Sequence, residues 1–219
     1  MNERRITVPR SARYVLLGSA EAPREVWLAC HGYGQLARFF GRHFEGIAGE
    51  ERLVIAPEAL NRFYLANPGA DHRDARVGAT WMTREDRVAD IDDYVGYLDA
   101  VVRDAVPDRA FPGTRLTALG FSQGVATVCR WAARTALRVN RLILWGEKLP
   151  PDLDWASAGP RFKALDLIRV AGLEDPATGP EALAADGARL DAHGVPHRTI
   201  TFAGGHRLDA DVLQRLAAG

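Results

Sequence analysis

Much that would narrow the possibilities is scarce in this chain. It has two cysteines, Cys30 and Cys129, in 219 residues. That is too few for a disulfide framework or a cysteine-built zinc site, and both lie in apolar surroundings, as buried free thiols do. It has no net charge, with 28 Lys plus Arg against 28 Asp plus Glu. A neutral chain gives no electrostatic case for nucleic acid or for an anionic membrane surface. Lysine itself is almost absent, since only Lys148 and Lys163 occur, and arginine supplies the rest of the positive charge. No apolar run approaches the ~18 residues of a membrane span. The segment Met1 to Arg13 is polar and Arg-rich, without the apolar stretch of a secretory signal, so a cytoplasmic location and no stable membrane association are expected. Internal repeats and low-complexity segments are missing as well.

What is present is an ordinary globular composition, 47% hydrophobic and 26% charged, with length enough for one large core. Short apolar runs alternate with amphipathic stretches. Tyr14–Leu17, Val26–Cys30, Leu53–Ala56, Leu116–Leu119, Leu142–Trp145, Leu167–Ala171 and Thr199–Phe202 read as strands. Several are almost continuously apolar, as strands covered on both faces must be. A helix is expected over about 85–105, where Val88, Ile91, Val95, Leu98 and Val102 recur every three or four residues. Thr83 followed by Asp86 reads as its loose capping box. Val125–Leu137 and Pro180–His193 are two further helices, the second stopped by Gly194 and Pro196. Such alternation predicts an α/β fold around a mostly parallel sheet, in one domain with helices on both faces. The first two strands, joined by the turn-rich Gly18–Glu25, are expected to make an antiparallel hairpin at one edge. Asn61–Ala79, rich in polar residues and without periodicity, is read as a long surface loop.

The strongest chemical signal is Gly120-Phe121-Ser122-Gln123-Gly124. A strand precedes it and a helix follows. A serine there, flanked at two residues' distance by glycines, sits on a sharp turn that lifts its hydroxyl above the sheet. A serine hydroxyl needs a base. Of six histidines, His206 follows the last strand-like run, where functional residues of a parallel sheet gather. His31 also follows a strand but opens a different motif; His43, His72, His193 and His197 have polar or helical settings. The base in turn needs an acid to orient it. Glu174 and Asp175 both follow the penultimate strand, and Pro176 holds Asp175 extended. The chain order serine, acid, histidine is that of the α/β hydrolases. The turn His31-Gly32-Tyr33-Gly34-Gln35 can aim backbone N–H groups at an oxyanion, with donors from Tyr33 and from Gln123.

On these residues the chain resembles the carboxylesterase/phospholipase branch of the α/β-hydrolase superfamily, which includes the acyl-protein thioesterases. The resemblance runs from about Val26 to the C-terminus. The family's H-G-x-G turn is matched by His31–Gly34, its G-F-S-Q-G elbow by Gly120–Gly124, its G-x-x-D-P loop by Gly172–Pro176, and its late G-x-H by Gly204–His206. The match selects Asp175 over Glu174. It implies a single-domain α/β-hydrolase fold without a large cap, and hydrolysis of a small-molecule ester or thioester by Ser122, His206 and Asp175 through an acyl-enzyme. It calls for no organic cofactor and no metal. Gly32 and Gly34 would border the substrate pocket. Trp81 would line it or pack in the core beneath the loop. Tyr33, where relatives often carry leucine, would shape the pocket or lie on the surface. Gln35–Phe40 and the Asn61–Ala79 segment depart from the family and are expected to border the pocket. A binding protein that kept the fold, an acyltransferase and a peptidase are the competing readings.

Overall fold

The computed structural model describes residues 1–19, 21–65, 73, 75–106 and 113–219. Seven strands form one sheet in the order β1-β3-β2-β6-β7-β8-β9. They are β1 (Tyr14–Leu17), β2 (Glu25–Cys30), β3 (Arg52–Pro57), β6 (Arg115–Phe121), β7 (Arg141–Trp145), β8 (Asp166–Gly172) and β9 (His197–Phe202). These are the seven apolar runs anticipated from sequence. All pairs are parallel except β1 with β3.

The antiparallel edge strand is therefore present, but its partner is β3 and not β2. Burial explains the choice. Residues Val26–Cys30 of β2 are all buried and take a neighbour on each side, whereas β1 has no fully buried residue and suits an edge. After Gly18, whose φ of +88° only glycine adopts freely, Ser19 bonds to the Gly49 carbonyl, and the chain passes across the end of β3 before entering β2.

Helices cover both faces. On one lie α2 (Arg87–Ala105), α3 (Gln123–Arg134), α4 (Trp155–Lys163) and α5 (Pro180–Ala192), packed through Leu98, Val128, Phe162 and Leu190 onto Leu28, Leu53, Ala118 and Leu142. On the other lie α1 (Ala37–Phe40), the 3-10 turn Gly41–Phe44 and α6 (Ala210–Ala218), packed through Phe40, Phe44 and Leu213 onto Trp27, Val54, Ile143 and Trp145. Each such fully buried side chain contributes about 1.5–3 kcal/mol of transfer free energy. Helices α1, α4 and α6 are too short for periodicity to reveal them; α4 also carries Pro160.

Three local expectations are corrected. Helix α2 starts at Arg87, and its N-cap Asp86 has φ +47° and no side-chain cap. Thr83 instead exchanges bonds with the Glu85 backbone, and the Asp86 carboxylate pairs with Arg5, so there is no capping box. Val88 lies in that first turn, is 67% exposed and does not join Ile91, Val95, Leu98 and Val102 in the core. The Asn61–Ala79 stretch is not all loop. Asn61–Tyr64 (β4) and Val77–Thr80 (β5) pair as an antiparallel two-stranded ribbon. Most of the span between them, with His72, lies outside the described residues.

Candidate active site

The order of the sheet reverses between β2 and β6, because β3 lies on one side of this pair and β7 to β9 on the other. Loops leaving the carboxyl ends of two strands at such a point diverge and open a crevice. Cys30 is in register with Gly120, so His31–Gly34 and Ser122 emerge at the same level.

Ser122 has φ +52° and ψ −123°, a strained conformation for a residue with a Cβ. Packing enforces it. A Cβ on Gly120 would fall 2.3 Å from the Gly124 carbonyl oxygen, and one on Gly124 would fall 2.1 Å from that of Cys30. No larger residue fits either place. Ser122 N–H donates to the Trp145 carbonyl at 2.9 Å, which pins the elbow to β7. Ser122 is also the N-cap of α3, yet its hydroxyl makes no capping bond.

The acid and the histidine leave adjacent strands at matched height, with Gly172 in register with Phe202. His206 Nδ1 and Asp175 Oδ2 are 2.8 Å apart. Asp175 Oδ1 accepts from the Ala177 N–H at 2.9 Å, and Asp175 is extended (φ −84°, ψ 113°), as a residue before proline should be. The Asp175 side chain is 1% exposed and that of His206 36%. Glu174 is exposed and forms no part of this pair; its backbone N–H ties the two loops together through the Gly204 carbonyl.

Ser122 lies beside the pair. The Phe121 ring packs 4.9 Å from the His206 ring, centroid to centroid. Gly146, next after the Trp145 that holds Ser122, lies under both partners: a Cβ there would be 3.3 Å from Asp175 Oδ2 and from His206 Nδ1. The Ser122 hydroxyl and His206 do not hydrogen-bond to one another in the structure; such bonds often tighten only on substrate.

Across the crevice, a Cβ on Gly32 would be 3.1 Å from Ser122 Cβ. The Gly32 N–H is engaged by Gln35 Oε1 at 2.8 Å. The N–H groups of Tyr33 and Gln123 have no protein acceptor among the described residues. His31 is fully buried. Its Nε2 accepts from the Ala59 N–H at 3.1 Å, so the proton sits on Nδ1, which donates to the Gly32 carbonyl at 2.7 Å. Burial lowers its pKa from 6.5 to about 4, so the ring is neutral near pH 7 and acts as a brace for the turn. The ribbon braces the same turn from outside: Gly34 N–H donates to Ala79 O at 2.9 Å and Ala79 N–H to Gln35 O at 3.2 Å. Gly34 has φ +74°. A Cβ on Gly78 would come within 2.5 Å of its carbonyl oxygen.

Trp81 is 1% exposed and belongs to the core, the second of its two anticipated settings. Its Nε1 donates to the His31 carbonyl at 2.8 Å, and its own N–H donates to Gln123 Oε1 at 3.1 Å. Gln123 Nε2 donates to Thr80 Oγ1 and to Met82 O, so its side chain clamps residues 80–82 while its backbone N–H stays free. Tyr33 is 61% exposed, with its ring 5.0 Å from that of Phe63 in β4. Gly146, the bond from the Gln35 side chain and the clamp made by the Gln123 side chain escape sequence reasoning. Their roles are steric or rest on one bond, and no spacing announces them.

Among the described residues no group of three or more His, Cys, Asp or Glu could hold a metal ion, and no helix is long and apolar enough to cross a membrane. Cys30 and Cys129 are buried and free, and desolvation pushes both thiols well above their ordinary range.

No family model matches the sequence, and a search of curated proteins finds no match. Solved structures do resemble it. Acyl-protein thioesterase 2 of Zea mays superposes with a TM-score of 0.69 at 16% identity, over 95% of this chain and 99% of that one. A carboxylesterase from Mesorhizobium loti gives 0.66 at 20% identity, over 95% of each chain. Esterase PE8 gives 0.60 at 17% identity, over 95% of this chain and 97% of that one. The strand order, the elbow after β6 and these whole-chain superpositions give one conclusion: the chain has the α/β-hydrolase fold.

Proposed function

We propose that this protein is a serine hydrolase that cleaves carboxylic esters or thioesters through an acyl-enzyme. The observation that carries the reading is the bonded pair Asp175–His206, seated over Gly146, with a strained, uncapped Ser122 tied to the neighbouring Trp145. The esterases and thioesterases among its fold neighbours support it.

Asp175 accepts from His206 Nδ1, which leaves Nε2 to face the nucleophile. Ser122 Oγ attacks the substrate carbonyl carbon, and its proton passes to Nε2. The charge on the carbonyl oxygen is received by the free N–H groups of Tyr33 and Gln123. The tetrahedral species collapses, the C–O or C–S bond breaks, and the imidazolium returns the proton to the departing alcohol or thiol. Water then adds to the acyl-enzyme, giving its proton to His206. Ser122 leaves with that proton as the carboxylic acid departs.

The test is a series of 4-nitrophenyl esters from acetyl to palmitoyl, with Ser122→Ala as background. The wild type should turn over at least part of the series, and the variant should lose about 10³-fold or more in kcat while unfolding at the same temperature. Equal rates for the two proteins across the series would end the reading. The chain length at the peak reports the depth of the acyl site.

A further inference from the structure

A cleft of about 490 Å³ continues from the oxyanion turn. Gly34, Gln35 and Phe40 are among the residues that line it. The Phe40 ring stacks on Phe121, which precedes Ser122, so the cleft abuts the crevice that holds the nucleophile. Arg38, His43 and Arg76 also line the cleft, and among the described residues no Asp or Glu does.

Among the described residues no carboxylate offsets that charge. The chain as a whole is neutral, and Arg13, Arg52, Arg87 and Arg130 each have a carboxylate within ion-pair distance. Arg38 and Arg76 have no ion pair among the described residues. Arg38 is also held in place: its guanidinium lies 4.7 Å from the centre of the half-exposed Phe39 ring. Stacking on an aromatic face directs a guanidinium without using its N–H donors. Two exposed arginines lining one cleft, with no partner for their donors among the described residues, suit an oxyanion.

We infer that this cleft selects esters that carry an anionic group, a carboxylate or a phosphate, a few bonds from the scissile carbonyl. The inference rests on the hydrolase reading and names a substrate class for the same site. Arg38 and Arg76 are the specificity residues. Both are exposed, so salt weakens the preference.

The test compares kcat/KM within matched pairs. Monomethyl adipate against methyl hexanoate places a carboxylate on the acyl side. 4-Acetoxybutanoate against butyl acetate places it on the alcohol side. Methyl 4-(phosphonooxy)butanoate replaces the carboxylate by phosphate. At least one anionic ester should exceed its neutral counterpart by about tenfold or more, the scale of one charge-assisted hydrogen bond. The pair that responds tells which end of the ester enters the cleft and which anion it takes. The ratio should fall toward one in the double variant Arg38→Gln/Arg76→Gln and shrink in about 1 M salt. Because each ratio is taken on one protein sample, a partly unfolded variant does not distort it. Ratios near one in every pair for the wild type would overturn the inference, as would a preference that survives the double substitution. If no ester of either kind is hydrolysed and Ser122 takes no fluorophosphonate label, it is the hydrolase reading that fails.

Discussion

The elbow at residues 120–124 and the rim at residues 33–43 flank one crevice on opposite terms. At the elbow, missing side chains are the structure: Gly120 and Gly124 leave room for carbonyl oxygens, and Ser122 is strained because its neighbours permit nothing else. At the rim, large side chains stand in solvent. Tyr33 and Phe39 are at least half exposed, and Arg38 has no ion pair among the described residues. The contrast separates two tasks. Reaction chemistry needs atoms held within a fraction of an ångström, which only packed backbone provides. Choice among substrates needs contacts that can vary without unsettling the frame.

The largest expected effect breaks the frame at its charged partner. Asp175→Asn should lower kcat by about 10²–10⁴-fold, because the amide favours the wrong imidazole tautomer. Glu174→Gln, one residue away and exposed, should stay within about twofold. Steady-state kinetics on one good ester decides between them, and the reverse ranking would move the acid to Glu174.

Gly124→Ala tests the steric claim. A Cβ placed 2.1 Å from the Cys30 carbonyl oxygen forces β2 and α3 apart, so urea unfolding should report a loss of more than about 3 kcal/mol, or no folded protein. A variant as stable as the wild type would contradict it.

A subtler fault lies in His31. Its folded pKa of about 4 lies below the unfolded value of 6.5. As pH falls through that window the unfolded chain binds a proton that the folded one refuses, so stability drops, by at most about 3 kcal/mol at pH 4 and below. Wild type should lose more stability between pH 7 and pH 4.5 than His31→Gln does, with equal losses refuting the brace. At the small end, Tyr33→Ala should change kcat/KM for neutral esters by less than about fivefold. Its proposed contribution to the reaction is a backbone N–H, and its ring meets Phe63 at the surface.

The sheet was legible because strands covered on both faces are written as unbroken apolar runs, as in Val26–Cys30 and Leu142–Trp145. The β4–β5 ribbon was not. It is half exposed, and its Asn-Arg-Phe-Tyr strand has no run to read. The partner of β1 was hidden because pairing is settled by which strand needs two neighbours, a property of the whole sheet. In the candidate site, Ser122, Asp175 and His206 follow the carboxyl ends of β6, β8 and β9, and that placement is what marks them as candidates in the sequence. Trp81 could not be placed, since a tryptophan on a wall and one under a floor have the same neighbours in sequence. The brace of the 31–35 turn is made of single bonds, two from the side chains of His31 and Gln35 to Gly32 and two between distant backbone atoms at Ala79, and these leave no pattern.

The most direct test of the account is chemical labelling of the nucleophile. The folded wild-type protein, treated with a fluorophosphonate and digested, should carry one adduct on the peptide that contains Ser122, and Ser122→Ala and His206→Ala should carry none or label far more slowly. An adduct on another residue, or equal labelling of all three proteins, would contradict the assignment of Ser122 as the activated nucleophile.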